Sequence, residues 1–142
     1  MSEELIRKYN DMKQLRKKTI EKSVILSLLN SVKTNSEVIL TIPLSEKSAT
    51  LVFRELYESV RQLGDAKWWL LGYEPKNHDV SLEILKKMEI KDKHKLNNLD
   101  RFKNIRHDIN YRGFRASVEQ AKEIIDFWNL CGKEMLSVLM KI

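Results

Sequence analysis

Apolar residues recur at three- and four-residue steps along most of this chain, the spacing of helices that bury one face. Leu5, Tyr9 and Met12 share a face, and further on Ile20, Val24, Leu28 and Val32 share another. They predict a first helix from Ser2 to Val32, broken near Lys17–Thr19 and ended by the polar run Lys33–Ser36. Val38–Ile42 has strand-like composition but is short and has no partner segment, so it reads as an apolar connector ending at Pro43. Ser45 is placed to cap a second helix. In it Val52, Phe53, Leu56, Val60, Leu63 and Leu70 follow one another to a stop at Gly72. Asn77 is placed to cap a short third helix, His78 to Met88, with Val80, Ile84, Leu85 and Met88 inward. A fourth carries Leu96, Leu99, Phe102, Ile105 and Ile109 and fades at Gly113. Ser117 and Gln120 have capping-box spacing and open a fifth, whose stripe runs from Ala121 through Trp128 and Cys131 to Ile142. Gly132 within that stripe suggests a close helix–helix approach.

Stripes of this kind joined by short connections predict an all-α fold, an antiparallel four- or five-helix up-and-down bundle. One domain over residues 1–142 is expected, with residues 1–15 as an N-terminal helical extension. Composition agrees. Four Gly and two Pro in 142 residues are too few for the turns of an all-β sandwich or barrel. A single Cys excludes a disulfide framework and a Cys-based zinc site, and three scattered His argue against a metal centre; no metal and no cofactor are expected. No apolar stretch approaches membrane-spanning length, and the charged N-terminus has no leader-like apolar segment behind it. A cytoplasmic protein with no membrane partner is the expectation.

Charge sharpens this. The chain carries a net +6. Residues 86–115 hold ten Lys/Arg against four acids, an excess equal to that of the whole chain. Solvated helix faces would account for such a run, and so would a surface that meets a polyanion. The most informative part is Leu99–Gly113, LDRFKNIRHDINYRG. Between its core positions, Arg106 and Asn110 are i,i+4 neighbours. His107 is i,i+3 from Asn110 and i,i+4 from Tyr111. Arg offers a planar cation for phosphate oxygens, His exchanges protons near neutral pH, and Asn and Tyr can orient a ligand. Ordinary surface charges, with Tyr111 hydroxyl in water, are the plainer reading of the same residues.

This segment resembles the signature of HEPN domains (higher eukaryotes and prokaryotes nucleotide-binding). There an Arg is followed by a polar residue, a short spacer and a His, on the penultimate long helix of a four- or five-helix bundle. Arg106 matches the Arg, His107 the polar residue, and Asp108, Ile109 and Asn110 the spacer. Tyr111 stands where the motif has His. Arg101 with His107 fits the looser Arg-to-His pattern in another register. The second helix with Phe53, Tyr57 and Ala66, then Gly72, Tyr73, Lys76 and His78, is similar to the family's layout. The resemblance covers roughly residues 16–142.

The resemblance implies a homodimer with the motif near a cleft between two chains. It also implies RNA or nucleotide as ligand, and a minimal nucleotidyltransferase as the antitoxin partner where the family member is a toxin. Carried onto this sequence, Arg106, His107 and Tyr111 take the catalytic positions. Arg101, Lys103, Asn110, Arg112, Lys76 and His78 take nucleotide- or RNA-binding positions. The leading expectation is RNA or nucleotide binding at a basic cleft around Arg106–Tyr111. One alternative is a metal-independent endoribonuclease, in which a 2′-OH attacks the adjacent phosphate while His107 takes the proton and Arg106 stabilises the developing charge. A phenol at the motif His position is a poor base at neutral pH, which weakens that alternative. The other alternative is a non-catalytic dimeric interaction module.

Overall fold

The structure, a computed structural model, describes residues 2–141. It is mostly helical, with one very small sheet. The order is α1 (Ser2–Asp11), β1 (Leu15–Lys17), α2 (Lys22–Ile39), α3 (Ala49–Leu70), β2 (Tyr73–Pro75) and α4 (His78–Glu83). Then come α5 (Leu99–Arg112), α6 (Val118–Phe127) and α7 (Lys133–Leu139). Short 3-10 turns at Ile84–Lys87 and Lys93–Asn98 lead from α4 to α5, and a π turn at Trp128–Gly132 joins α6 to α7 without a break.

α3 is the centre. It packs against α2, β2, α4, α5, α6 and α7. This is why its apolar positions are not confined to one stripe: Val52, Phe53, Leu56, Val60, Leu63, Ala66 and Trp68 are all essentially solvent-free. The ring of Phe102 (α5) makes edge contacts with Phe53 (α3) and Phe127 (α6), at centroid distances of 6.0 and 5.3 Å, and ties three helices at one point. Trp68 is fully buried and its indole N–H donates to the Val80 carbonyl at 2.7 Å, which docks α4. Trp69 is half-buried, with Lys18 Nζ 4.9 Å from its ring. Leu5 and Tyr9 of α1 belong to the same core as Leu139 of α7. No helix among the described residues is long and apolar enough to cross a membrane.

Local signals bound several helices where the sequence places them. Asn77 accepts from the Val80 N–H at the start of α4. Ser117 and Gln120 form a reciprocal capping box at the start of α6. Ser45, expected to cap the second helix, instead bonds reciprocally with Ser48 in the turn before α3; Ser48 holds the N-cap position and Ala49 is the first helical residue. Gly72 and Gly113 take positive φ values of 87° and 68° after α3 and α5.

Several expectations are corrected. The third helix, expected from His78 to Met88, ends as an α-helix at Glu83 and continues only as a 3-10 turn over Ile84–Lys87. The first helix is two helices separated by a short strand, because β1 pairs antiparallel with β2, with Leu15 opposite Pro75 and Lys17 opposite Tyr73. A partner so far along the chain leaves no local trace. The run Lys33–Ser36 does not end α2, which continues to Ile39. Lys33, Thr34 and Asn35 face water, while Ser36 is buried with its hydroxyl donated to the Lys33 carbonyl at 3.0 Å. At Gly132 the close approach comes from the chain's own Trp128: a Cβ there would stand 2.2 Å from the indole, so the glycine makes room for the ring beneath the π turn.

Candidate functional site

α5 presents its charged face because Leu99, Phe102 and Ile109 are buried, with Ile105 half-buried between them. Its C-terminal end is held beside the start of α3. The Ala116 N–H donates to Thr50 Oγ1 at 3.0 Å, and Arg115 donates to the Lys47 carbonyl at 3.1 Å. Arg106, half-buried, lies with its guanidinium carbon 5.7 Å from the centre of the Tyr57 ring. With its amide oxygen turned toward Arg106, Asn110 accepts from Nε at 3.0 Å and from Nη2 at 3.1 Å. Both residues line an open cavity of about 300 Å³ with Leu51, Arg54, Glu55 and Glu58 of α3. One helical step round, the His107 and Tyr111 rings lie 4.8 Å apart, tilted by 45°, and Tyr111 is 71% exposed. Phe114 is exposed just beyond Gly113.

A second cavity, about 240 Å³, opens between α3 and the β2–α4 corner. Lys76, Asn77 and His78 line it from the corner, and Arg61, Asp65 and Trp69 from α3. Arg61 is held by two acids of its own helix, Glu58 and Asp65, the latter at 2.8 Å. Asp65 also accepts from the Ser81 hydroxyl at 2.6 Å. Burial pushes the Asp65 carboxyl pKa up, and the Ser81 bond and Arg61 only partly offset it. Burial pushes the His78 imidazole pKa down, and the nearby cations Arg61 and Arg106 push the same way. α3, α4 and α5 thus place Arg61, His78 and Arg106 in one electrostatic neighbourhood.

The other expected binding residues spread round this region. Lys103 pairs with Asp79 at 3.5 Å, beside His78. Arg112 pairs with Asp108 at 3.7 Å. Arg101 turns to α6, where it makes a two-pronged bond with Glu123 at 2.8 and 2.9 Å, away from Arg106. Lys86 and Lys93 also hold carboxylates. The excess of residues 86–115 is therefore distributed over several ion pairs. Exposed pairs of this kind contribute little to stability, about 0–1 kcal/mol each. Among the described residues no three His, Cys, Asp or Glu side chains are grouped to hold a metal ion.

Tyr57, Glu58, Arg61 and Asp65 were not among the expected site residues. A signal was present: Glu58, Arg61 and Asp65 fall at i, i+3 and i+7, so three charged side chains share one face of α3. What the arrangement can do is hold an anion. Arg106 is oriented by a ring and an amide, Asn110 engages only part of its donor fork, and two exposed rings stand beside it. Comparison with protein-family models, with curated proteins and with solved structures finds no match to this chain.

Proposed function

We propose that this chain is a HEPN-type domain that binds single-stranded RNA or a nucleotide, with Arg106 on a phosphate and the His107–Tyr111 rings against a base. The observation that carries this reading is the pre-oriented Arg106. Its guanidinium rests on Tyr57 and is bonded by Asn110, so less freedom is lost when it engages an anion. The exposed ring pair beside it suits sequence-tolerant stacking. The order of helices, with Arg106–Tyr111 on α5 ahead of the last long helical stretch, also supports the reading. A second copy of this chain and a minimal nucleotidyltransferase are the partners that go with it.

The test is fluorescence anisotropy with a labelled single-stranded RNA of about twelve nucleotides, titrated at about 50 and 200 mM salt. Wild type is expected to bind with a log–log salt slope of about −0.7 per phosphate neutralised. Arg106→Ala should weaken binding about tenfold or more and flatten the slope by roughly one phosphate. Lack of binding at the lower salt, or unchanged binding by Arg106→Ala, overturns the proposal. The same RNA incubated in EDTA distinguishes holding from cutting. Products with 2′,3′-cyclic ends that vanish in His107→Ala would make the protein the endoribonuclease of the alternative reading.

A further inference from the structure

Between α2 and α7 lies a groove of about 620 Å³, none of whose lining residues lines the Arg106 cavity. Its walls are two matching helical faces, Lys33, Ser36 and Glu37 of α2 with Leu40 at its C-cap, and Lys133, Leu136 and Ser137 of α7 with Met140 at its C-cap. Each repeats at i, i+3, i+4 and i+7, about two turns or ~10 Å of wall. Leu40, Leu136 and Met140, with the edge of Trp128, make the floor apolar. Lys33, Lys133 and Lys141 stand along the rim against a single acid, Glu37.

We propose that this groove binds an anionic amphiphile, a long-chain monocarboxylate, with its hydrocarbon chain on the apolar floor and its carboxylate among the rim lysines. The volume lies within the range of small-molecule sites, roughly 300–1,000 Å³, and the mix of apolar lining with a few charged groups is typical of them. Three cations against one acid select a negative head and reject a cationic one. A nucleotide fits poorly. Trp128 is only 1% exposed and offers no ring face for a base. A partner helix fits less well than a single chain, because two turns of wall are short for the roughly 800 Å² that each side of a stable protein interface buries.

The probe is dodecanoate, titrated calorimetrically into the full chain below its micellar concentration, with dodecanol and dodecyltrimethylammonium in parallel. Saturable one-to-one binding of dodecanoate is expected, with both other amphiphiles at least tenfold weaker. Ser137 is exposed on the wall, so Ser137→Trp should fill the groove and abolish binding while leaving the helical circular dichroism unchanged. Lys133→Glu, also at an exposed position, should weaken dodecanoate at least tenfold and leave RNA binding as it was. Dodecanoate that fails to bind overturns the proposal. So does dodecanol binding equally well, or dodecanoate affinity unchanged in both variants. An acidic amphipathic peptide that binds where dodecanoate does not overturns it in favour of helix docking.

Discussion

The Arg106 guanidinium lies over the ring of Tyr57, and the hydroxyl of that same tyrosine is buried without a hydrogen-bond partner. The ring and the hydroxyl therefore have opposite consequences. The ring supports the cation and fills the core between α3 and α5. The hydroxyl adds a polar group removed from water, and burial pushes its pKa up to about 12 despite the two arginines nearby.

Tyr57→Phe should keep the ring and remove the unpartnered group. Its stability is expected to equal that of wild type or exceed it by up to about 1 kcal/mol, with RNA binding unchanged. Tyr57→Leu removes the aromatic face. It should weaken RNA binding several-fold, since a cation–ring contact of this kind contributes about 0.5–2 kcal/mol. Urea denaturation and anisotropy on the two variants check this. If Tyr57→Leu binds as wild type does, the ring does not orient Arg106.

Two glycines should respond very differently to alanine. A Cβ at Gly64 would stand 1.9 Å from the Ser81 carbonyl oxygen, part of the backbone of α4, so α3 and α4 would have to separate. Gly64→Ala is expected to cost about 3 kcal/mol or more, far beyond the roughly 1 kcal/mol that alanine gains in helix propensity. A Cβ at Gly113 would meet no atom within 4 Å among the described residues beyond its chain neighbours, and only the positive φ of 68° opposes a side chain. There alanine should cost about 1 kcal/mol. Urea midpoints for the pair decide it; equal losses would refute the close approach of α3 to α4.

Stability should depend on His78 below neutral pH. Its pKa is lowered in the folded protein from the usual 6.5, so between the two values the unfolded chain binds the proton more readily. The contribution is fully present above about pH 6.5 and is lost as pH falls through the folded value. Asp65 acts in the opposite sense, its raised pKa letting the folded state take up a proton first on further acidification. Thermal melts from pH 7 to pH 5 should show wild type losing more of its melting temperature than His78→Asn. Parallel pH profiles would mean that His78 is not held near-neutral by its surroundings.

Much of this fold can be read directly from short-range pattern. Ser117 with Gln120, Asn77 with Val80, and the glycines after α3 and α5 are legible because each hydrogen bond closes within a few residues. The inward positions of α5 are legible because one buried stripe needs only the helical period. Other parts were not. Four successive polar residues at Lys33–Ser36 look like a helix end, yet three face water and Ser36 returns its hydroxyl to the backbone. Arg101 and Arg106 look alike on paper, five residues apart. One turns to Glu123 of α6 and the other to Tyr57 of α3.

Local pattern alone carries the helical class, the starts of α4 and α6, the ends of α3 and α5, and the gathering of Arg106, His107, Asn110 and Tyr111 at one end of α5. These follow from interactions between near neighbours, whose geometry the helical repeat sets in advance. The pairing of β1 with β2, the approach of α3 to α4 at Gly64, the carboxylates that already hold particular cations, and the gathering of Arg61 and His78 with Arg106 come from packing alone. Each of those depends on partners far apart in the chain. Which surfaces meet there is settled by packing the whole core, and no local pattern carries that information.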